Sequence, residues 1–212
     1  MSLVFDQTEA RKADSQGGSI RDAGVYRGTI TRAEKLLSKN NVEGIGISFK
    51  TDDGLTANYL DLYTVKPDGE KLRGFGFAQA ILCCTRTREA SEGAITFERY
   101  DKDAGGMVKA SANGYPELMG KRIGLLLQKE LSTNIKTGKD VERVNIYGVF
   151  EADTGFTSSE ILDKATKSEQ LNKLVDALER NPVRDNRTGG AIRGNSPQTG
   201  SAPDAFEDDL PF

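Results

Sequence analysis

The chain has 212 residues, no histidine and two cysteines, the adjacent Cys83 and Cys84. Zinc enzymes and Ser-His-Asp or Cys-His hydrolases need histidine or spaced cysteine ligands, so the composition argues against these classes. The formal net charge is −3, no apolar run approaches the roughly 20 residues of a membrane span, and the N-terminus does not resemble a secretory signal. We therefore expect a cytoplasmic protein with no membrane partner.

The first predicted element is a loosely ordered N-terminal arm, residues 1–23, and a single folded domain is expected over residues 24–180. That domain opens with three segments that show strand-like alternation or β-branched residues and that are separated by turn sequences. They predict an antiparallel meander and are GVYRGTITRAE (24–34), GIGISFKT (44–51) and LTANYLDLYTV (55–65).

A core helix is predicted over residues 75–86, because Phe77, Ala80, Ile81 and Cys84 recur at helical spacing. Both cysteines fall in this apolar stretch, which indicates buried thiols rather than a redox pair. Residues 87–118 offer one short candidate strand, AITFERY, followed by the Gly and Pro punctuation of a loop.

Two further strands are predicted over RIGLLLQKEL (122–131) and VERVNIYGVFE (141–151). In the second of these, Val144, Ile146 and Phe150 are expected to face the core. Two short helices should follow, each begun by a capping box. The predicted boxes pair Thr157 with Glu160 and Thr166 with Glu169.

Strand, strand, strand, helix, strand, strand is the element order of the oligonucleotide-binding (OB) fold, a five-stranded Greek-key barrel. The sequence therefore predicts a mainly β protein with an OB-fold barrel, a helix between strands three and four, short C-terminal helices and a disordered acidic tail. An SH3-like barrel or part of a β-sandwich has a similar number of short strands and stays an alternative.

Strand alternation puts Tyr59, Asp61 and Tyr63 on one face, opposite Leu60 and Leu62. Two tyrosines at this spacing form a candidate platform for stacking nucleic-acid bases. The alternative is that these rings cover a second core layer under the C-terminal helices. Basic and aromatic residues on the other strands and in the two loops that flank an OB groove are further DNA-binding candidates, unless they are only solvated surface. They are Lys35, Lys39, Lys50, Lys136, Lys139, Arg143 and Tyr147.

The C-terminal segment, residues 181–212, is rich in Gly, Pro, Asn and Ser and ends in DAFEDDLPF. Its composition predicts a disordered linker with an acidic tip that binds proteins. A purely solubilising acidic tail is the alternative, but it would have no need to end on apolar residues. The predicted partner-binding residues are Asp208, Asp209, Leu210, Pro211 and Phe212.

These last five residues resemble the acidic terminus of bacterial single-stranded-DNA-binding proteins (SSBs). With the element order, the chain resembles bacteriophage SSBs that combine an OB core, a linker and an acidic tip, and the stretch LMGKRIGLLLQKE is similar in general to phage proteins of this kind. The chain lacks tryptophan, unlike many bacterial SSBs, so stacking would depend on Tyr and Phe.

The resemblance implies a non-catalytic protein without cofactors, located in the cytoplasm of the bacterial host. It would coat single-stranded DNA in phage replication, recombination and repair, and it would bind partner enzymes through its tip. A homo-oligomer stays open. The alternatives are a strand-annealing or adaptor protein and, more remotely, a metal-dependent nuclease. Such a nuclease would draw on Asp52, Asp53, Asp61, Glu98, Asp101 and Asp103.

Overall fold

Eight strands form one sheet in the computed structural model, which describes residues 18–101, 103–134 and 137–187. The strands are β1 (Gly24–Leu37), β2 (Glu43–Thr51), β3 (Thr56–Val65), β4 (Gly93–Asp101), β5 (Gly106–Gly114), β6 (Arg122–Thr133), β7 (Asp140–Phe150) and β8 (Val183–Asn186). The helices are α1 (Arg73–Cys84), α2 (Ser158–Leu162) and α3 (Gln170–Arg180), with a 3-10 turn at Pro116–Leu118.

The predicted antiparallel meander is confirmed: β1 pairs with β2, and β2 pairs with β3. The first half of β1 also pairs with β6, which pairs with β7 on its other side. The hydrogen-bonded sheet is open, and the closed barrel expected from the sequence is not formed, because no ladder joins β3 to β7 in the described part of the chain. Helix α1 packs against both of these strands.

A hairpin of β4 and β5 occupies the region that the sequence predicted as one short strand and a loop. Its ladder runs in register from the pair Gly93 and Gly114 to the pair Asp101 and Gly106. The second strand, GMVKASANG, was missed because small and polar residues dominate it and have little strand propensity. The hairpin joins the sheet through a single pair between β5 and β1, Glu34 with Gly114.

The main core lies between the meander, α1 and strands β6 and β7. Ile45, Ile47 and Phe49 are buried there, as their alternation predicts. Phe150 was expected beside Val144 and Ile146 but lies in a second cluster under α3. The cause is a bulge that leaves Tyr147 unpaired between Ile146 and Gly148, which shifts the alternation of β7 by one residue.

The C-terminal helices are linked by Glu160. The capping box of Thr157 and Glu160 is present as predicted. The box predicted for Thr166 and Glu169 is replaced by a different arrangement, in which the backbone amides of Glu169 and Gln170 donate to Glu160 Oε1 at 2.7 and 2.8 Å. No helix within residues 18–101, 103–134 and 137–187 has the length and apolar character needed to cross a bilayer.

Both ends of the expected domain continue into the sheet. Ser19 forms a bridge with Thr56, and Ile20 is buried. At the other end, β8 runs parallel to β6, so the first residues of the predicted linker belong to the sheet. The acidic tip, 204–212, lies outside the described residues.

Candidate functional site

The surface of the meander that faces away from the main core is called here the outer face. On β3 it presents Tyr59, Asp61 and Tyr63, while Leu60 and Leu62 are buried on the opposite side. This is the arrangement that alternation predicts. The neighbouring positions of β2 are glycines: Gly44 pairs with Tyr63 and Gly46 pairs with Asp61. The centre of the outer face is therefore open to long side chains from the flanking strands.

A bulge in β1 places Arg32 on the outer face. Ile30 pairs with Phe49 and Arg32 pairs with Ser48, so Thr31 is an extra residue in β1. Strict alternation would have put Arg32 on the core side together with Ile30. The bulge turns Arg32 outward and turns Ala33 into the core, where it is fully buried.

The guanidinium of Arg32 lies near two aromatic rings. Its Cζ atom is 5.1 Å from the centroid of Tyr59 and 5.6 Å from that of Phe97 on β4. Both distances are within the range of a cation–π contact. Only 7% of Arg32 is exposed. Arg32 therefore supports these two rings from below and is itself covered.

Two carboxylates balance the charge of Arg32. Glu34 Oε2 lies 3.0 Å from Nε, and Asp61 Oδ1 lies 3.9 Å from Nη2. The contact with Glu34 is an ion pair without an aligned hydrogen bond, and the buried Nε–H has no acceptor among the described residues. The position of Arg32 is thus set by charge and ring contacts more than by directional hydrogen bonds.

Tyr59 combines an exposed ring with a backbone conformation that is unfavourable for a bulky residue. Its φ is 60°, in the left-handed region, and 69% of the residue is exposed. It lies at a second bulge, since Ala57 pairs with Phe49 and Leu60 pairs with Ile47, which leaves two residues of β3 opposite one of β2. Such strain is held by surrounding structure and is concentrated at functional sites.

Asp61 lies between opposing electrostatic influences. Burial raises the pKa of its carboxyl above the ordinary value, and the nearby Glu34 raises it further, while Arg32 and Arg143 lower it. The net direction is upward. Arg143, one of the residues predicted for the site, therefore lies close enough to act on the centre of the outer face.

The predicted lysines within the described residues differ in their contacts. Lys39, Lys50 and Lys139 are exposed, and within the described ranges none of the three forms an ion pair. Lys35 is engaged instead, because its Nζ lies 2.5 Å from Glu92 Oε1 and 3.9 Å from Glu43 Oε1.

Tyr147 does not join the outer face. It is half-buried and packs, like Leu171, Leu174 and Val175, against the second apolar cluster. Lys136 and the five residues of the predicted partner-binding tip lie outside the described residues.

Two residues of this site were missed by the sequence analysis, Arg32 and Phe97. A bulge hides the first, and the second belongs to the hairpin whose fold was not predicted. The spacing of Ile30 and Ala33, both apolar and three residues apart in a strand, is the one pattern that could have indicated the bulge.

The acids considered for metal chemistry do not converge. Asp52 forms a two-point ion pair with Arg122, at 2.8 and 3.0 Å, and Asp101 accepts hydrogen bonds from the amides of its own turn. The residues that the structure describes contain no group of three acidic or cysteine side chains placed to hold a metal ion.

Comparisons with known proteins add no family. No protein-family model matches the chain, and no curated protein matches it in sequence.

Proposed function

We propose that this protein binds single-stranded DNA on the outer face of β1, β2 and β3, without catalysing a reaction. We also propose that the sheet is a variant of the OB fold. The strand order β3-β2-β1-β6-β7 and the position of α1 after β3 support this, because they correspond to the five strands and the helix of that fold. The β4–β5 hairpin would then be an insertion before the fourth OB strand.

The exposed ring of Tyr59 is the observation that supports this proposal most directly. One side of the ring rests on Arg32, and most of the residue is exposed to solvent. A base stacked on such a ring gains about 1–3 kcal/mol with little dependence on its identity. Because Arg32 and the bulge fix the ring before binding, little conformational entropy is lost when a base stacks.

The charges around the outer face favour a moderate and salt-dependent affinity. Lys39 lies in the loop between β1 and β2, Lys50 lies on β2, and Lys139 lies in the loop between β6 and β7. Each can pair with a phosphate and release counterions. The carboxylates of Asp61 and Glu34 repel phosphates near the centre of the face. We therefore expect the affinity to fall when salt is added, but to depend on base stacking as well as on charge.

The C-terminal tip, 204–212, is proposed to recruit enzymes of replication, recombination or repair. An apolar pocket on a partner could hold the Phe212 ring, with a basic side chain paired to the terminal carboxylate. Asp208 and Asp209 would add attraction to a basic surface, and Pro211 would reduce the ordering cost. The same proposal includes that this is a bacteriophage protein and that it acts in the cytoplasm of the bacterial host.

Fluorescence anisotropy with a labelled single-stranded oligonucleotide and its duplex, at two salt concentrations, tests the proposal. We expect the full-length protein to prefer the single strand and to bind it less tightly at the higher salt. Tyr59→Ala should weaken binding roughly 5- to 150-fold, as the loss of one stacked base predicts. Tyr100→Ala is the matched control, because Tyr100 is also an exposed tyrosine, at 63%, but lies on the hairpin.

Equal affinity of the wild type and the Tyr59→Ala variant would refute the stacking site. If neither protein bound the single strand, the proposed function would be wrong. Acceleration of the pairing of complementary strands would favour strand annealing over simple coating.

A further inference from the structure

The chain enters α1 directly against the edge of β3, at the end of the strand that carries Tyr63. The amide of Leu72 donates to the carbonyl oxygen of Thr64 at 2.8 Å. A Cβ atom at Gly74 would be 2.1 Å from the carbonyl oxygen of Tyr63, so a side chain at this position would clash with β3. A ligand that leaves the outer face across this edge therefore meets the first residues of α1.

The segment beyond this edge is basic. Residues 71–88 contain four Lys or Arg and neither Asp nor Glu. The acid that precedes them, Glu70, is paired, because its Oε2 lies 2.8 Å from Nζ of Lys66. On the other side of the meander, the β4–β5 hairpin (93–114) contains three acids and three bases, so its net charge is zero. The charge distribution therefore favours an anionic ligand on the α1 side over one on the hairpin side.

Two cations at the start of this segment are held in position by aromatic rings. Lys71 Nζ is 4.5 Å from the centroid of Phe75, and Arg73 Cζ is 5.2 Å from that of Phe77. A ring positions a cation without cancelling its charge. Both cations are exposed, and neither has an ion-pair partner among the residues that the structure describes. They can therefore bind phosphates with a small loss of side-chain entropy.

The far end of α1 is less suited to phosphates. Arg86 Nε lies 2.7 Å from Glu151 Oε1, so its charge is already balanced. Arg88 is followed directly by Glu89. The uncompensated positive charge of the segment is thus concentrated at Lys71 and Arg73, beside the β3 edge.

We propose that single-stranded DNA bound on the outer face crosses the edge of β3 beside Tyr63 and continues over the start of α1, where Lys71 and Arg73 each contact a phosphate. This inference rests on the proposed function and adds to it a second contact surface, which only strands longer than the outer face can reach. Phosphate contacts orient a strand and carry no sequence information, so this surface adds affinity without base preference.

The experiment measures anisotropy with labelled oligothymidines of about 6 and about 20 nucleotides, because one OB fold covers roughly 4–16 nucleotides. The full-length Lys71→Ala/Arg73→Ala variant should bind the short strand like the wild type, which also shows that it is folded. It should bind the long strand roughly 2- to 30-fold less tightly, as the loss of two exposed ion pairs predicts.

A salt series gives a second measure of the same contacts. Each phosphate contact to a single strand contributes about 0.7 to the slope of log affinity against log salt concentration. For the long strand, the slope of the Lys71→Ala/Arg73→Ala variant should therefore be smaller in magnitude than that of the wild type by about 1.4. For the short strand, the two slopes should be equal.

Two further double variants are controls. Lys71→Arg/Arg73→Lys keeps both charges and should bind the long strand like the wild type. Lys173→Ala/Arg180→Ala removes one Lys and one Arg from α3, and its affinity for the long strand should not change. An equal loss in this α3 variant would show that net charge alone lowers the affinity and would overturn the extended path.

The two strand lengths separate this inference from the proposed function. If the wild type bound both strands and Lys71→Ala/Arg73→Ala bound the long one equally well, the path over α1 would be wrong and the outer-face site would stand. Equal losses for the short and long strands would also overturn the path, since the two cations would then act within the outer-face site. Failure of the wild type to bind either strand would overturn both proposals.

Discussion

Gly46 lies directly beneath the guanidinium of Arg32. A Cβ atom at position 46 would be 2.5 Å from Nη2 of Arg32 and 3.2 Å from Oδ1 of Asp61. The missing side chain in β2 thus creates the space in which Arg32 crosses the outer face and reaches the ring of Tyr59. The contact requires glycine at position 46 because a side chain would occupy the space of the guanidinium, and not because the backbone there adopts a conformation that favours glycine.

Gly46→Ala should therefore disturb the outer face without unfolding the protein. The nearest atom is the end of a flexible side chain, so Arg32 can move aside, and we expect a loss of about 1 kcal/mol in the free energy of unfolding. Its ring contacts would weaken, and single-strand affinity should fall several-fold. Urea denaturation and fluorescence anisotropy measure the two effects.

Gly28→Ala is the contrasting variant. A Cβ atom there would be 2.1 Å from the carbonyl oxygen of Lys50, which is backbone and cannot move aside. This change should lower the free energy of unfolding by about 3 kcal/mol or more. If Gly46→Ala were as destabilising as Gly28→Ala, Arg32 would be fixed more rigidly than its contacts suggest.

The left-handed backbone of Tyr59 predicts a difference between two truncations of its side chain. Both Tyr59→Ala and Tyr59→Gly remove the ring and should weaken single-strand binding equally. Glycine adopts a φ of 60° without the cost of about 1–2 kcal/mol that an L side chain incurs. After allowing for the greater chain entropy of unfolded glycine, Tyr59→Gly should be more stable than Tyr59→Ala by about 1 kcal/mol. Equal stability in urea would mean that the strain is absent.

Asp61→Asn should improve both stability at neutral pH and DNA affinity. Because burial raises the pKa of Asp61, the folded state favours the protonated form. The stability that this protonation provides is present below the ordinary pKa of Asp and is lost as pH rises through the higher folded value. Asparagine does not titrate, so the stability of the variant relative to the wild type should increase between pH 3 and pH 7 in urea denaturation.

The same substitution removes a negative charge from the proposed DNA surface, so single-strand affinity should rise at low salt. Asp176→Asn on α3 is the charge-matched control, and its affinity should not change. A rise in both variants would show that net charge, not the local position of Asp61, determines binding.

The sequence predicted the meander and α1 because their core residues follow regular periods. Ile45, Ile47 and Phe49 alternate, and Ile81 and Cys84 have helical spacing and are buried as expected. The bulges at Thr31 and beside Tyr59 and Tyr147 could not be predicted in this way, because each adds a residue that breaks the period of two. Those breaks determine where Arg32, Tyr59 and Phe150 point.

The site was predicted in part for the same reason. Tyr59, Asp61 and Tyr63 share a face as alternation requires, but the partner that supports Tyr59 comes from a bulge in β1 and the second ring from an inserted hairpin. Packing between segments distant in sequence leaves no local pattern. Tyr147 was predicted on the DNA-binding face from the pattern of β7 alone, but it packs against the apolar cluster that α3 also contacts.

Glu160 connects α2 and α3, and its charge should stabilise the protein in a defined pH range. Burial acts to raise the pKa of its carboxyl, but hydrogen bonds from the amides of Gln170, Thr157 and Glu169 and from the Thr157 hydroxyl outweigh burial and lower it to about 2. Since the folded pKa is depressed, the stabilisation is complete above the ordinary value of 4.5 and is lost as pH falls toward about 2.

Glu160→Gln keeps the shape of the side chain and removes the charge. We expect the variant to lose about 1–2 kcal/mol of unfolding free energy at pH 7, because hydrogen bonds to a charged acceptor at a helix start become neutral ones. Urea denaturation at pH 7, 5 and 3 should show this difference shrinking at the lowest pH, where the wild type begins to lose its charge. Glu169→Gln is the control, since its backbone amide, not its carboxylate, bonds to Glu160. A difference for Glu160→Gln that stayed constant with pH would show that the carboxylate charge adds nothing to the link between the two helices.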